Sequence, residues 1–264
     1  MSHLSVKRIS AGYGKNNVIE NISFDLDDGT LMGIIGANGS GKTTLLKALC
    51  GILPHQGNCT LEGTVLEELS AKQLAKLVSY IPQRSGISID ISALDVVLMG
   101  FNPKLGLLEH PTRKMKDTAM QALEQVGLAG KEETNYLHLS EGQKQLCILA
   151  RTLVSDSKLL LLDEPESALD FRFRHQMLSL LHSWVASRER SAIVTLHDPA
   201  LALNFCDKLL LLSDGGVLDI IAPKSDSLDK MEQVLRKVYG PISLQRCHNR
   251  KGEAQIIMLR EDDL

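Results

Sequence analysis

Aromatic residues are scarce in this 264-residue chain: Phe, Tyr and Trp together make up 4%, with a single Trp. A core must therefore come from Leu, Ile, Val and Ala, the residues that fill buried parallel sheets. No stretch approaches the roughly 18 to 20 consecutive apolar residues that cross a bilayer, and the segment from Met1 to Lys7 lacks an apolar signal region. The expected location is cytoplasmic, with membrane association made through a partner. The five cysteines (Cys50, Cys59, Cys147, Cys206, Cys247) are odd in number and scattered without metal-ligand spacing, so free thiols are expected. Neither sign of charge dominates: 29 basic and 32 acidic side chains give −3, which leaves no chain-wide footprint for nucleic acid. No low-complexity tract, repeat or linker divides the sequence, and its length suits one α/β unit with insertions.

What is present is a series of short apolar runs that stop at polar or glycine residues. Leu31–Ile35 enters a Gly-rich turn, Leu77–Ile81 stops at Pro82-Gln83, and Leu159–Leu162 at Asp163-Glu164. Ala192–Leu196 stops at His197-Asp198, and Leu209–Leu212 at Ser213-Asp214-Gly215. Runs of this length between turn residues predict strands buried on both faces. Ligands of open α/β sheets lie beyond the carboxyl ends of the strands, so Gln83, Asp163, Glu164 and His197 are expected to converge. Helices are predicted from Gly41 to Cys50, Thr112 to Val126, Glu141 to Val154 and Phe171 to Ala186. The opening segment to Asp28 and the stretch from Gly57 to Gly63 read as short strands and turns. The region from Ile89 to Leu139 reads as a helical insertion with its own small core.

Gly36-Ala37-Asn38-Gly39-Ser40-Gly41-Lys42-Thr43 fits the pattern G-x-x-x-x-G-K-[ST]. Glycines let the backbone wrap a phosphate and turn its N–H groups inward, and the following helix adds the positive end of its dipole. In this pattern Lys42 reaches the outer phosphates and Thr43 offers its hydroxyl to Mg²⁺; Thr44 beside it is also expected to bind the nucleotide. ATP and Mg²⁺ are the expected ligands. The apolar strand ending in Asp163-Glu164-Pro165 supplies two carboxylates. Asp163 is expected to hold Mg²⁺ and Glu164 to orient and deprotonate the attacking water, since phosphoryl transfer needs mainly positioning and charge stabilisation.

Leu139-Ser140-Glu141-Gly142-Gln143 is similar to the signature that separates ABC ATPases from other P-loop proteins. It also reads as a capping box, Ser140-x-x-Gln143, at a helix start. Placed between the phosphate loop and the acid pair, it makes the chain resemble the ATP-binding subunits of ABC transporters along most of its length. The resemblance implies a P-loop NTPase (RecA-like) α/β core at about 1–88 and 141–220 with an N-terminal antiparallel β subdomain. It adds an inserted α-helical subdomain at 89–140 and a C-terminal extension at 221–264.

The resemblance further implies that Tyr13 stacks on adenine, that Gln83 links Mg²⁺ to the helical region, and that His197 grips the γ-phosphate. Ser167-Ala168-Leu169-Asp170 would contact a second subunit. Two copies would bind head to tail, each ATP lying between Gly36–Thr43 of one and Ser140, Gly142 and Gln143 of the other. Lys42, Glu164 and His197 are the implied catalytic residues; Thr43, Gln83 and Asp163 the implied metal ligands. The implied partners are a second copy, integral membrane permease subunits and, indirectly, a solute-binding protein, with no nucleic acid.

Ile91–Met99 followed by Gly100-Phe101-Asn102-Pro103, and the segment Val234–Gly240, resemble the group serving iron–siderophore, haem and cobalamin importers. ATP-driven import through a separate permease is the expected function. An importer of another solute, a non-hydrolysing nucleotide-binding module, or an ABC ATPase acting on nucleic acid or ribosomes are the alternatives. The last usually carries a long coiled coil, and the stretch between Gln83 and Ser140 is too short and irregular for one. Three departures from the family stand out. Glu141 replaces a commoner glycine and brings a carboxylate near an anionic ligand. Leu146 and Phe101 stand where arginine is frequent.

Overall fold

Two long strands, β1 (Leu4–Tyr13) and β2 (Asn16–Leu26), open the computed structural model, which describes residues 3–83, 86–106, 108–167, 169–186 and 189–261. Most of their apolar residues, among them Val6, Ile9, Ile19 and Ile22, are buried. The spacing slips from two to three because the register shifts between Val6 and Ile9, with Arg8 and Asn21 at φ 51° and 53°. Such bulges keep the ladder while breaking the alternation. The short strands expected up to Asp28 are therefore two continuous ones.

β3 (Leu31–Gly36) is wholly apolar and leads through the glycine loop into α1 (Lys42–Leu49). β4 (His55–Leu61) and β5 (Thr64–Val65) complete an antiparallel sheet of order β2-β1-β4-β5. α2 (Ala71–Leu77), started by a Ser70–Gln73 capping box, precedes β6 (Val78–Ile81). Then come α3 (Ala93–Leu98), α4 (Arg113–Gln125) and α5 (Glu141–Leu153). Each begins at a hydroxyl cap, Ser92, Thr112 and Ser140, that accepts the backbone N–H three residues on.

β7 (Leu159–Asp163), α6 (Phe171–Val185), β8 (Ser191–Thr195), α7 (Pro199–Phe205), β9 (Lys208–Ser213) and β10 (Gly216–Ile221) finish a six-stranded sheet. Its order is β10-β9-β3-β8-β7-β6, with only β10 antiparallel to its neighbour. The chain continues through α8 (Leu228–Tyr239) to the hairpin β11 (Ile242–His248) and β12 (Ala254–Arg260). Asn204 of α7 holds this hairpin by bonding both the N–H and the carbonyl of Ile256.

One face of the large sheet (Met32, Ile34, Leu161, Ile193) packs with Leu45 and Leu46 of α1 and with the antiparallel sheet. The other face (Leu31, Ile35, Leu160, Leu162) shares one continuous cluster with Val97, Leu123, Ile148, Leu178 and Leu235. The helical region thus lacks the separate core expected of it: its apolar stripes merge with the sheet's. All five cysteines are free. Among the described residues no helix is long and apolar enough to cross a membrane.

Register places the site. Ile34 lies opposite Thr195, Asp163 opposite Thr195, and Ile81 opposite Leu162. The carboxyl ends of β3, β6, β7 and β8 therefore stand side by side, and the segments leaving these four strands meet above the sheet edge.

Candidate nucleotide site

The loop between β3 and α1 turns on glycines that no other residue replaces without strain. A Cβ on Gly36 would stand 2.3 Å from the Leu212 carbonyl oxygen. Gly41 has φ 99°, and a Cβ there would meet Ile19 Cγ2 at 2.3 Å. The loop bends around a cavity of about 170 Å³ lined by Val18, Asn38, Gly39, Gly41, Lys42, Thr43, Thr44 and Glu164.

Lys42 is buried, and its Nζ donates to the carbonyls of Gly36 at 2.9 Å and Ala37 at 3.2 Å. Burial pushes its ammonium pKa down, while Glu164, Asp163 and Glu166 oppose that shift. Ser40 Oγ is buried without a hydrogen-bond partner among the described residues. A buried lysine held only by carbonyls, beside an orphaned hydroxyl at a helix start, fits an anionic ligand with several acceptor oxygens.

Asp163, 3% exposed, accepts three hydroxyl contacts. Thr43 and Thr195 each reach Oδ1 at 3.0 Å, and Tyr80 reaches Oδ2 at 3.3 Å. Burial and the neighbouring Asp163 push the Tyr80 phenol above its ordinary pKa, so it stays a donor. The pairing of a carboxylate with the Thr43 hydroxyl is a hard-oxygen donor set that fits Mg²⁺.

Glu164 sits just past the strand at φ 49°, a conformation non-glycine residues rarely adopt. Its N–H donates to Thr195 Oγ1 at 2.8 Å. Glu164 lines the cavity, and its carboxylate is held by two neighbours: Gln83 Nε2 donates to Oε2 at 2.7 Å and His197 Nε2 stands 2.7 Å from Oε1. The four residues expected to converge, Gln83, Asp163, Glu164 and His197, do so.

Other expected residues stand apart. Tyr13 is 55% exposed and lines a neighbouring cleft with Asn17, Pro54 and His55. Ser140 and Gln143 form their capping box at the start of α5, with Gly142 between them. No hydrogen bond among the described residues links them to 36–44. Glu141 is exposed and its Oε1 takes Lys144 Nζ at 2.7 Å. Asp170 caps α6 by accepting the Phe173 N–H; of the segment 167–170, Ala168 lies outside the described residues. Leu146 and Phe101 are both buried in the apolar cluster.

Three residues around the site went unnoticed in the sequence: Tyr80, Thr195 and Glu166. Tyr80 in β6 and Thr195 at the end of β8 are polar residues within largely apolar runs, a usable signal. Glu166 follows Glu164 by two positions and carried none.

The profile of the family described as ABC transporter matches residues 19–167. A hemin import ATP-binding protein of Vibrio parahaemolyticus is 36% identical, over 94% of this chain and 95% of that protein. An uncharacterized ABC transporter ATP-binding protein of Bacillus subtilis is 30% identical over 98% of this chain; the match spans 59% of that longer protein. Among solved structures, a metal-chelate type ABC transporter in an inward-facing conformation superposes with a TM-score of 0.81 at 28% identity, covering 99% of each chain. With the signature, the phosphate loop and the paired carboxylates in one fold, the chain belongs to the ABC transporter family as one of its ATP-binding, ATP-hydrolysing subunits.

Proposed function

We propose that the chain drives import of a metal-chelate solute, of the iron–siderophore, haem or cobalamin kind, through separate membrane permease subunits. The convergence of Gln83 and His197 on Glu164, whose carboxylate shares a cavity with Lys42 and Thr43, beside Asp163, carries the motor part of this reading. The substrate class is supported by the Ile91–Pro103 and Val234–Gly240 segments. The hemin import relative and the metal-chelate transporter add to it.

In the proposed reaction the loop amides of 36–43 and the Lys42 ammonium hold the phosphates of ATP. Thr43, Asp163 and Gln83 would hold Mg²⁺, which neutralises developing charge on the phosphate oxygens. Glu164 orients the attacking water and takes its proton. His197, whose Nε2 meets Glu164 in this structure, would turn that donor to the γ-phosphate oxygens when ATP is bound. Lys42 Nζ leaves the Gly36 and Ala37 carbonyls for the phosphate oxygens.

A second copy would close the site with Ser140, Gly142 and Gln143, whose helix start offers free N–H groups and a positive dipole end. Tyr13 would stack on the adenine, and the 167–170 segment would meet the second copy. A solute-binding protein would act through the permease, and the subunit would sit on the cytoplasmic face through that contact. A cleft of about 340 Å³ between β6 and the helical region, lined by Tyr80, Met99, Asn102, Pro103 and Arg151, supports permease docking at the helical region.

Glu164→Gln tests the mechanism. Turnover in a phosphate-release assay is expected to fall at least about 100-fold while ATP binding persists. Near-parent turnover would remove Glu164 from its role.

A further inference from the structure

Glu166 belongs to none of the motifs, yet at 3% exposure it is as deeply buried as Asp163. A buried carboxyl is costly unless hydrogen bonds compensate its lost hydration. Its Oε2 has no hydrogen-bond partner among the described residues, and its Oε1 accepts the backbone N–H of His197 at 3.0 Å. Residue 197 is a junction. Before it, the Leu196 N–H still bonds the Ile34 carbonyl as part of the sheet. After it, Asp198 caps α7 by accepting from Ala200 and Leu201. The His197 N–H, in neither ladder nor helix, is satisfied by Glu166. The ring of the same residue meets Glu164 at 2.7 Å.

We infer that Glu166 is a positioning residue for ATP hydrolysis: by holding the His197 backbone it sets where the imidazole stands against Glu164 and the γ-phosphate. The inference rests on the roles proposed above for Glu164 and His197. Its contact is with the His197 backbone, and it acts through that residue.

Two variants of similar shape separate positioning from packing. Glu166→Gln keeps an oxygen that accepts the His197 N–H, whereas Glu166→Met fills the space without one. In the full chain labelled with ¹⁵N-histidine, the His197 amide is identified by its loss in His197→Ala. Glu166→Gln is expected to leave that amide proton near its parent shift, and Glu166→Met to move it upfield. With Mg-ATP, Glu166→Met should lower kcat on the order of ten- to a hundred-fold at unchanged KM, while Glu166→Gln retains most turnover. Added to His197→Ala, Glu166→Met should lower turnover no further, because the two act as one unit. An unmoved amide in Glu166→Met, parent turnover in that variant, or an equal further loss in the His197→Ala background overturns the inference. Parent turnover in both Glu164→Gln and His197→Ala would instead overturn the reading of the site on which it rests.

Discussion

Thr43 Oγ1 lies 3.0 Å from Asp163 Oδ1, so the first turn of α1 and the end of β7 meet across 120 residues of chain. The contact joins the two motifs that carry phosphate and metal chemistry, and it is made by side chains alone. Thr43→Val keeps the shape and removes the hydroxyl. Asp163 still accepts from Thr195 and Tyr80, so the fold should hold. The Mg²⁺ concentration for half-maximal phosphate release should rise about ten-fold or more, the usual scale for losing a ligand-shell partner. An unchanged Mg²⁺ titration would remove Thr43 from the metal site.

Leu146 shows why a departure from a family pattern needs a structure to interpret. It is 1% exposed and packs in the cluster shared by the helices and the sheet. Its role is in that cluster, on the opposite side of α5 from solvent. Leu146→Ala should cost about 2–5 kcal/mol in urea unfolding, the range for an emptied aliphatic site. A loss under about 1 kcal/mol would mean that the site collapses around the smaller side chain.

Much of this architecture was legible beforehand because buried parallel strands read as unbroken apolar runs. β3, β6, β7, β8 and β9 all announce themselves that way, and the residues after the runs of β3, β6, β7 and β8 name the site. The antiparallel sheet was less legible, since bulges at Arg8 and Asn21 break the period-two pattern. α7 and the C-terminal hairpin were missed because their buried stripes are short and their docking depends on one amide, Asn204. Gln83, Glu164 and His197 followed from the ends of apolar runs; what Glu166 and Thr195 do shows only in contacts between segments far apart in sequence.

Glu141, the departure within the signature, is 77% exposed at its side chain and paired with Lys144 three residues on. Exposed pairs contribute about 0–1 kcal/mol, so Glu141→Gly should leave stability within about 1 kcal/mol of the parent. Its effect belongs to closure. With Glu164→Gln in the background to block hydrolysis, removing the carboxylate should let dimers form at lower ATP concentration. Solution mass across an ATP series reads this directly. A higher ATP requirement would mean that Glu141, through Lys144, assists closure.

Glu166 also predicts how stability responds to pH. Burial raises its pKa from the ordinary 4.5, partly opposed by the His197 N–H it accepts. Between the ordinary and the raised value the folded state binds more protons than the unfolded state. Stability therefore falls as pH rises through that window, by at most about 1.4 kcal/mol per pH unit from this one group. Below the ordinary carboxylate range both states are protonated and the group contributes no slope. Glu166→Gln cannot titrate, so its stability relative to the parent should climb from pH 4.5 upward and level off above the raised value. Urea unfolding of both proteins at a series of pH values measures the difference directly. A constant difference across the series would mean that Glu166 titrates alike in both states, with no penalty from its burial.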